Sequence, residues 1–264
     1  MITAYRVELR KFVSTRLWWV LLIVLAAYMV FMGAVMAFTL TAETAESGAA
    51  DLMPVEVAQT VYSLGNSLGY VFPLVIGALA VTTEFRHKTI TATFLVEPRR
   101  TVVLVAKFMA GTVIGVAYGA AGTLATVLGG APLLAWQGDG AHLGDTGVLA
   151  TIGLTIVSMT IWTMIGVGFG TVLTSQVASI VVLLAFTQFV EPLLRAALGA
   201  VDALAPVGRF LPGSAAESIS GASIYSAMGV FDLLQRWQGA LVMLAYVLLL
   251  GVVGRLTSFR RDIT

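Results

Sequence analysis

Five stretches of this chain contain no Asp, Glu, Lys or Arg: Leu17–Ala42, Val57–Thr83, Phe108–Gly138, Thr146–Val190 and Trp237–Gly254. Crossing the hydrocarbon core of a bilayer takes about 20 helical residues at about 1.5 Å each. Four of the stretches fit one crossing apiece. Thr146–Val190 fits two, with Thr174-Ser175-Gln176 as the polar break near its middle. Every backbone group in hydrocarbon needs an internal partner, and the apolar residues run continuously instead of alternating, so the spans are helices and not strands. The expected fold is all-α and polytopic, a single transmembrane domain over 1–264 with six transmembrane helices near 18–40, 60–82, 106–132, 148–173, 177–194 and 238–255.

Composition narrows the function classes. Apolar residues make up 58% of the chain and charged residues 11%, with a mean hydropathy of +0.94. Soluble domains carry roughly 45–50% and about 25% respectively, so a water-soluble enzyme, a disordered regulator and a nucleic-acid binder are all disfavoured. The absence of Cys removes thiolate metal sites, and the two histidines, His87 and His142, are too far apart in sequence to argue for an imidazole site.

The Lys and Arg residues fix an expected orientation. With the N-terminus inside, twelve of the 15 basic residues fall in inner segments: Arg6, Arg10, Lys11, Arg16, Arg86, Lys88, Arg99, Arg100, Lys107, Arg255, Arg260 and Arg261. Ten of the 14 acids fall outside, and the two faces carry +8 and −7. Basic residues near helix ends stay on the cytoplasmic side, so both termini are expected there. The run from Leu17 to Leu40 exceeds the ~7–15-residue core of a signal peptide and reads as a retained span.

Two cytoplasmic segments stand out. Residues 1–17 read as an interfacial helix, with Ile2, Tyr5, Leu9, Phe12 and Val13 on one face and Thr3, Arg10, Lys11 and Ser14 opposite. Such a helix rests in the headgroup layer, where each cation gains about 1 kcal/mol from anionic lipid. The loop over 84–100 spends about 18 residues where a few would serve. Thr83 is expected to cap a short helix with Glu84 in its first turn, Pro98 to open the next helix, and Glu97 to leave helical geometry. Phe85, Ile90, Phe94 and Leu95 are available to dock on a protein surface, and His87, among cations, reads as a contact residue.

The spans hold few polar groups. Asn66 lies at four-residue spacing from Tyr62 and Tyr70, and Gln188 precedes Glu191-Pro192. Asn66 reads either as a helix–helix hydrogen bond or as part of a pathway. Gln188 and Glu191 read either as a helix end or as part of an outer gate. Gly111, Gly115, Gly119, Gly166 and Gly170 follow small-residue spacings that allow close approach within or between chains. The segment 195–237 is expected to be extracellular, as a lid or as a solvated cap. No string of intramembrane acids provides a proton relay, and no paired acids, Ser/His pair or metal cluster provides an intramembrane enzyme.

The order of an amphipathic N-terminal helix, six crossings, Glu84 with Thr89 after the second helix, then Pro98, Arg100 and Lys107, resembles the membrane subunit of ABC-2 type transporters, the permease class of bacterial multidrug and antibiotic exporters. Lys88 departs from the pattern, standing where many relatives place Gly. The resemblance implies that Glu84, Phe85, Arg86, His87, Lys88, Thr89, Pro98 and Arg100 belong to a coupling helix pushed by an ATP-binding subunit. It also implies that Tyr5, Arg10, Lys11 and Phe12 belong to the interfacial lever, and that charge reversal at Glu84 or Arg86 uncouples ATP hydrolysis from transport. No Gly-x-x-x-x-Gly-Lys-Ser/Thr loop occurs, so the chain is expected to be non-catalytic, with no cofactor of its own. ATP and Mg²⁺ would then be held by two copies of a partner ATPase. The other expected partners are a second copy of this chain or a homologous permease, and membrane lipid, in the cytoplasmic membrane of a bacterium. The alternatives are a stand-alone six-helix secondary carrier and a non-transporting immunity or assembly membrane protein.

Overall fold

A helix continues past the end of its apolar run until a residue stops it, and each span here is longer than its charge-free stretch requires. The computed structural model describes residues 1–47, 53–137, 140–201, 203–227 and 232–258. Among them are helices and no strands. The helices are α1 (Ile2–Val13), α2 (Leu17–Ser47), α3 (Pro54–Tyr62), α4 (Val71–Arg86), α5 (Thr89–Val96), α6 (Arg100–Gln137), α7 (Thr146–Val172), α8 (Gln176–Ala185), α9 (Glu191–Gly199), α10 (Ala205–Gly208), α11 (Pro212–Ser220), α12 (Ile224–Ala227) and α13 (Arg236–Leu256). A π-helical turn, Gly65–Gly69, joins α3 to α4, and a second, Phe186–Val190, joins α8 to α9. Six helices are long and apolar enough to cross a membrane: Leu17–Ala42, Pro54–Arg86, Arg100–Gln137, Thr146–Val172, Gln176–Gly199 and Arg236–Leu256. The chain has the architecture of a multi-pass membrane protein.

The ends follow local chemistry. Asp145 caps α7, its carboxylate accepting from the N–H groups of Gly147 at 2.7 Å and Val148 at 3.0 Å. Leu173 turns extended, and the break at Thr174-Ser175 separates α7 from α8 where the polar tripeptide lies. The second span begins at Pro54, six residues before the expected start, because proline pre-sets the first turn of a helix. The fifth span extends beyond 194 because α9 prolongs it.

The three spans formed by α3–α4, α6 and α7 make the interior, and α2, α8–α9 and α13 flank them. Leu25, Met29, Tyr62, Tyr118 and Met159 fill one core cluster, and Leu74, Trp162, Ala215 and Met243 a second. Phe31, Phe38, Val181, Phe189, Leu193, Leu248 and Val252 stay exposed on the flanking helices, which costs nothing against lipid tails as apolar as leucine. The small-residue spacings serve contacts inside the chain. Gly115 and Gly119 of α6 lie against Thr160 and Ile156 of α7, and a Cβ on Gly166 would run into the Leu74 carbonyl of α4.

Both ends of the bundle can be traced. Arg86 donates to Gln176 at 3.1 Å and Arg255 to Thr101 at 3.0 Å, so α1, α5, the α7–α8 break and the end of α13 share one basic end. Arg260 and Arg261 lie outside the described residues, as do Asp51, Asp139 and Asp202. At the other end the chain doubles back. After α9, α11 is buried along its whole length between α7 and α13, with Ser158 donating to the Ala216 carbonyl at 3.2 Å and Thr151 to that of Ser220 at 3.2 Å. This part of 195–237 is an inserted half-helix and not a solvated cap.

Candidate functional site

At the basic end, α1 folds back on α6 and its buried residue is Glu8, not the expected apolar stripe. Ile2 and Val13 of that stripe are exposed, Tyr5 is half-buried, Arg10 is exposed, and Phe12 reaches the core and stands 6.3 Å from Trp18. Glu8 closes a four-membered ring of charges. Lys107 of α6 bonds Glu8 at 2.7 Å and also bonds Glu84 of α4; Lys11 bonds Glu8 at 2.7 Å and Glu84 at 3.2 Å. Each charge has two opposite neighbours, and Glu8, Glu84 and Lys107 are buried. Burial by itself disfavours the ammonium of Lys11, but the carboxylates of Glu8 and Glu84 outweigh it and hold that ammonium above the ordinary lysine range. Thr93 of α5 extends the ring, accepting from Lys11 at 3.0 Å and donating to Glu84 at 3.3 Å. Four helices meet in one polar knot.

The loop departs from expectation in its details. Thr83 and Glu84 do not start the short helix; they end α4, which runs to Arg86 because its last turn still has core to bury. Lys88 separates α4 from α5 with φ 57°, a left-handed conformation that costs a side chain energy and suits glycine. The one position of the turn that glycine would ease is therefore held by a lysine. Glu97 is extended, as expected before proline, but α6 begins at Arg100, so Pro98 precedes that helix and does not open it. Phe85 and Phe94 pack on Val103 and Leu104, and Arg100 sits 5.2 Å from the Phe94 ring centre. The opposite side of α5 is bare: Leu95 is 79% and Val96 86% exposed, with Arg86, His87, Lys88 and Thr89 exposed beside them. A cavity of about 250 Å³ lies behind the ring, lined by Lys11, Phe12, Glu84, Lys107 and Ile114 among others.

A second polar cluster lies on the fifth span at Glu191, about 15 residues or roughly 22 Å of helix past Gln176 at the basic end. Arg195 bonds Glu191 at 2.8 Å and Glu217 of α11 at 3.1 Å, and all three are buried. Glu217 also accepts from Ser67 at 3.2 Å and from Ser223. Both π turns border this place: Tyr70 donates to the Thr187 carbonyl at 3.1 Å and accepts from Gln188 at 3.2 Å. Such turns widen a helix by one residue and recur at functional positions. A cavity of about 210 Å³ opens between them, with Ser67, Tyr70, Gln188, Glu191, Glu217 and Tyr225 in its wall.

Of the three expected pathway residues, Gln188 and Glu191 share this cavity. Asn66 is fully buried in the first π turn, is not part of the cavity wall, and has no hydrogen-bond partner for either amide atom among the described residues. Glu8, Arg195 and Glu217 escaped the reading of the sequence. Among the described residues no group of three His, Cys, Asp or Glu could hold a metal ion. No family model and no curated protein matches the sequence.

Proposed function

We propose that this chain is the membrane half of an ATP-driven exporter, an ABC-2 type permease that moves a lipophilic or amphipathic compound out across a bacterial cytoplasmic membrane. ATP and Mg²⁺ are bound by a separate ATPase, two copies of which serve a pair of these chains or this chain and a homologue. The observation that carries the reading is the knot of Glu8, Lys11, Glu84, Thr93 and Lys107 behind the bare outward side of α5. Leu95 and Val96 offer a partner apolar area at an end of the bundle rich in Lys and Arg. Force applied there reaches Glu84 through Thr93, and from Glu84 reaches α1, α4 and α6 together. An exposed apolar patch at the aqueous end favours a chain that docks on a partner over a carrier working alone.

The reading requires α5 to face the cytosol. The chain has no Cys, so single cysteines report without background. Val96→Cys is expected to react with a membrane-impermeant maleimide in inside-out vesicles only, and Gly144→Cys in right-side-out cells only. The reverse pattern would refute the proposal.

A further inference from the structure

The cluster at the two π turns sets two carboxyl groups against one cation. Glu191 and Glu217 bring two carboxylates against the single guanidinium of Arg195. The bonds to Glu191 all fall on one oxygen: Oε1 accepts from Nε and Nη2 of Arg195 and from the Gly213 N–H at the start of α11. Its Oε2 has no hydrogen-bond partner among the described residues, although Glu191 is only 1% exposed and belongs to the cavity wall. A buried carboxylate oxygen without a donor is costly, more so than the ~1–3 kcal/mol of a neutral group. Glu217 differs, because its two oxygens are divided among Arg195, Ser67 and Ser223.

The group that fits Oε2 is therefore a donor, and two carboxyl groups sharing one guanidinium favour a cationic one. An anion would meet two carboxylates and an arginine already engaged by both. No group of three His, Cys, Asp or Glu that could hold a metal ion exists among the described residues. The space of about 210 Å³ also exceeds one ion. At about 30 Å³ per water it holds roughly seven water-sized groups, the size of a small organic molecule. Tyr70 and Tyr225 line the cavity, each with one ring face already used, by Trp162 at 4.6 Å and by the Arg195 guanidinium at 5.1 Å, so what they leave to an ammonium bearing carbon substituents is their remaining edge and face.

We propose that this cavity binds a small organic cation through its ammonium group, with Glu191 Oε2 as the anchor. The site belongs to one chain and needs neither ATP nor a partner, so it stands or falls separately from the export reading.

The test uses the purified full-length chain and two probes of nearly equal shape, benzylammonium and its neutral counterpart benzyl alcohol, titrated by calorimetry. Benzylammonium is expected to bind saturably, and at least about tenfold more tightly than the alcohol. Glu191→Gln can keep its oxygen on Arg195 and Gly213 while turning an N–H₂ into the cavity, and is expected to weaken benzylammonium about tenfold or more without changing the melting temperature. Glu217→Gln, which removes the second carboxyl group, is expected to weaken it likewise. Repeating the titration in nanodiscs with and without phosphatidylethanolamine separates the sources of the ammonium: competition assigns the site to a lipid headgroup, and its absence to a free amine. Equal binding of the two probes, no saturable binding of benzylammonium, or unchanged affinity in a folded Glu191→Gln protein would each overturn the proposal. The comparison of probes on the unmodified chain decides even if both variants fail to fold.

Discussion

Lys107→Met is expected to cost about 3–5 kcal/mol of stability, the scale of removing one partner from a buried ion pair. Methionine fills much of the volume, so the loss is electrostatic. It leaves Glu8 and Glu84 converging on Lys11 alone, with one buried negative charge in excess. Glu84→Gln in the same chain is expected to restore a large part of the loss, because the remaining Glu8–Lys11 pair is then balanced. Thermal unfolding in detergent, run as a double-mutant cycle, measures the coupling; additive losses would mean that the two groups do not interact. The same geometry changes what charge reversal at Glu84 reports. A lysine there would face Lys11 and Lys107 in a buried place, so the variant is expected to fail in folding before it can uncouple anything. Arg86, which is exposed, remains the position at which reversal reads coupling.

Arg195→Met is expected to lose a similar amount, about 3–5 kcal/mol, by leaving Glu191 and Glu217 together without their shared cation. The effect extends to architecture, since Glu191 also holds the Gly213 N–H that starts α11. Releasing it loosens the half-helix from its bed between α7 and α13. Glu217→Gln in the Arg195→Met background is expected to recover part of the stability. Limited proteolysis follows α11 directly, with cleavage between 200 and 235 rising in the single variant and falling in the double. Cleavage at the level of the unmodified chain in the single variant would show that the cluster does not hold α11.

The six spans were legible because charge is excluded from hydrocarbon, and its absence marks each crossing whatever the helices pack against. Their ends were less legible. Backbone hydrogen bonding carries α6 from Arg100 to Gln137, past both limits of the expected helix over 106–132, since a helix in water at the membrane surface breaks no rule of the bilayer. The two charge clusters were the hardest to see. Glu84 and Lys107 were noticed as separate residues, but their pairing depends on α1 returning to α6, which brings Glu8 to Lys107 across 99 positions of sequence. Gln188 and Glu191 stood out as polar groups at a helix end. Arg195 and Glu217 did not, because α11 is a nine-residue helix of small and polar residues that no hydropathy window detects.

The central claim is that α5 is gripped by a separate ATP-hydrolysing chain. A photoreactive benzophenone amino acid in place of Leu95, irradiated in native membranes, tests it most directly. The account predicts one dominant cross-linked product, joining this chain to a polypeptide that carries a Gly-x-x-x-x-Gly-Lys-Ser/Thr loop and hydrolyses ATP. Cross-linking to lipid alone, or to no ATP-binding chain, would contradict it.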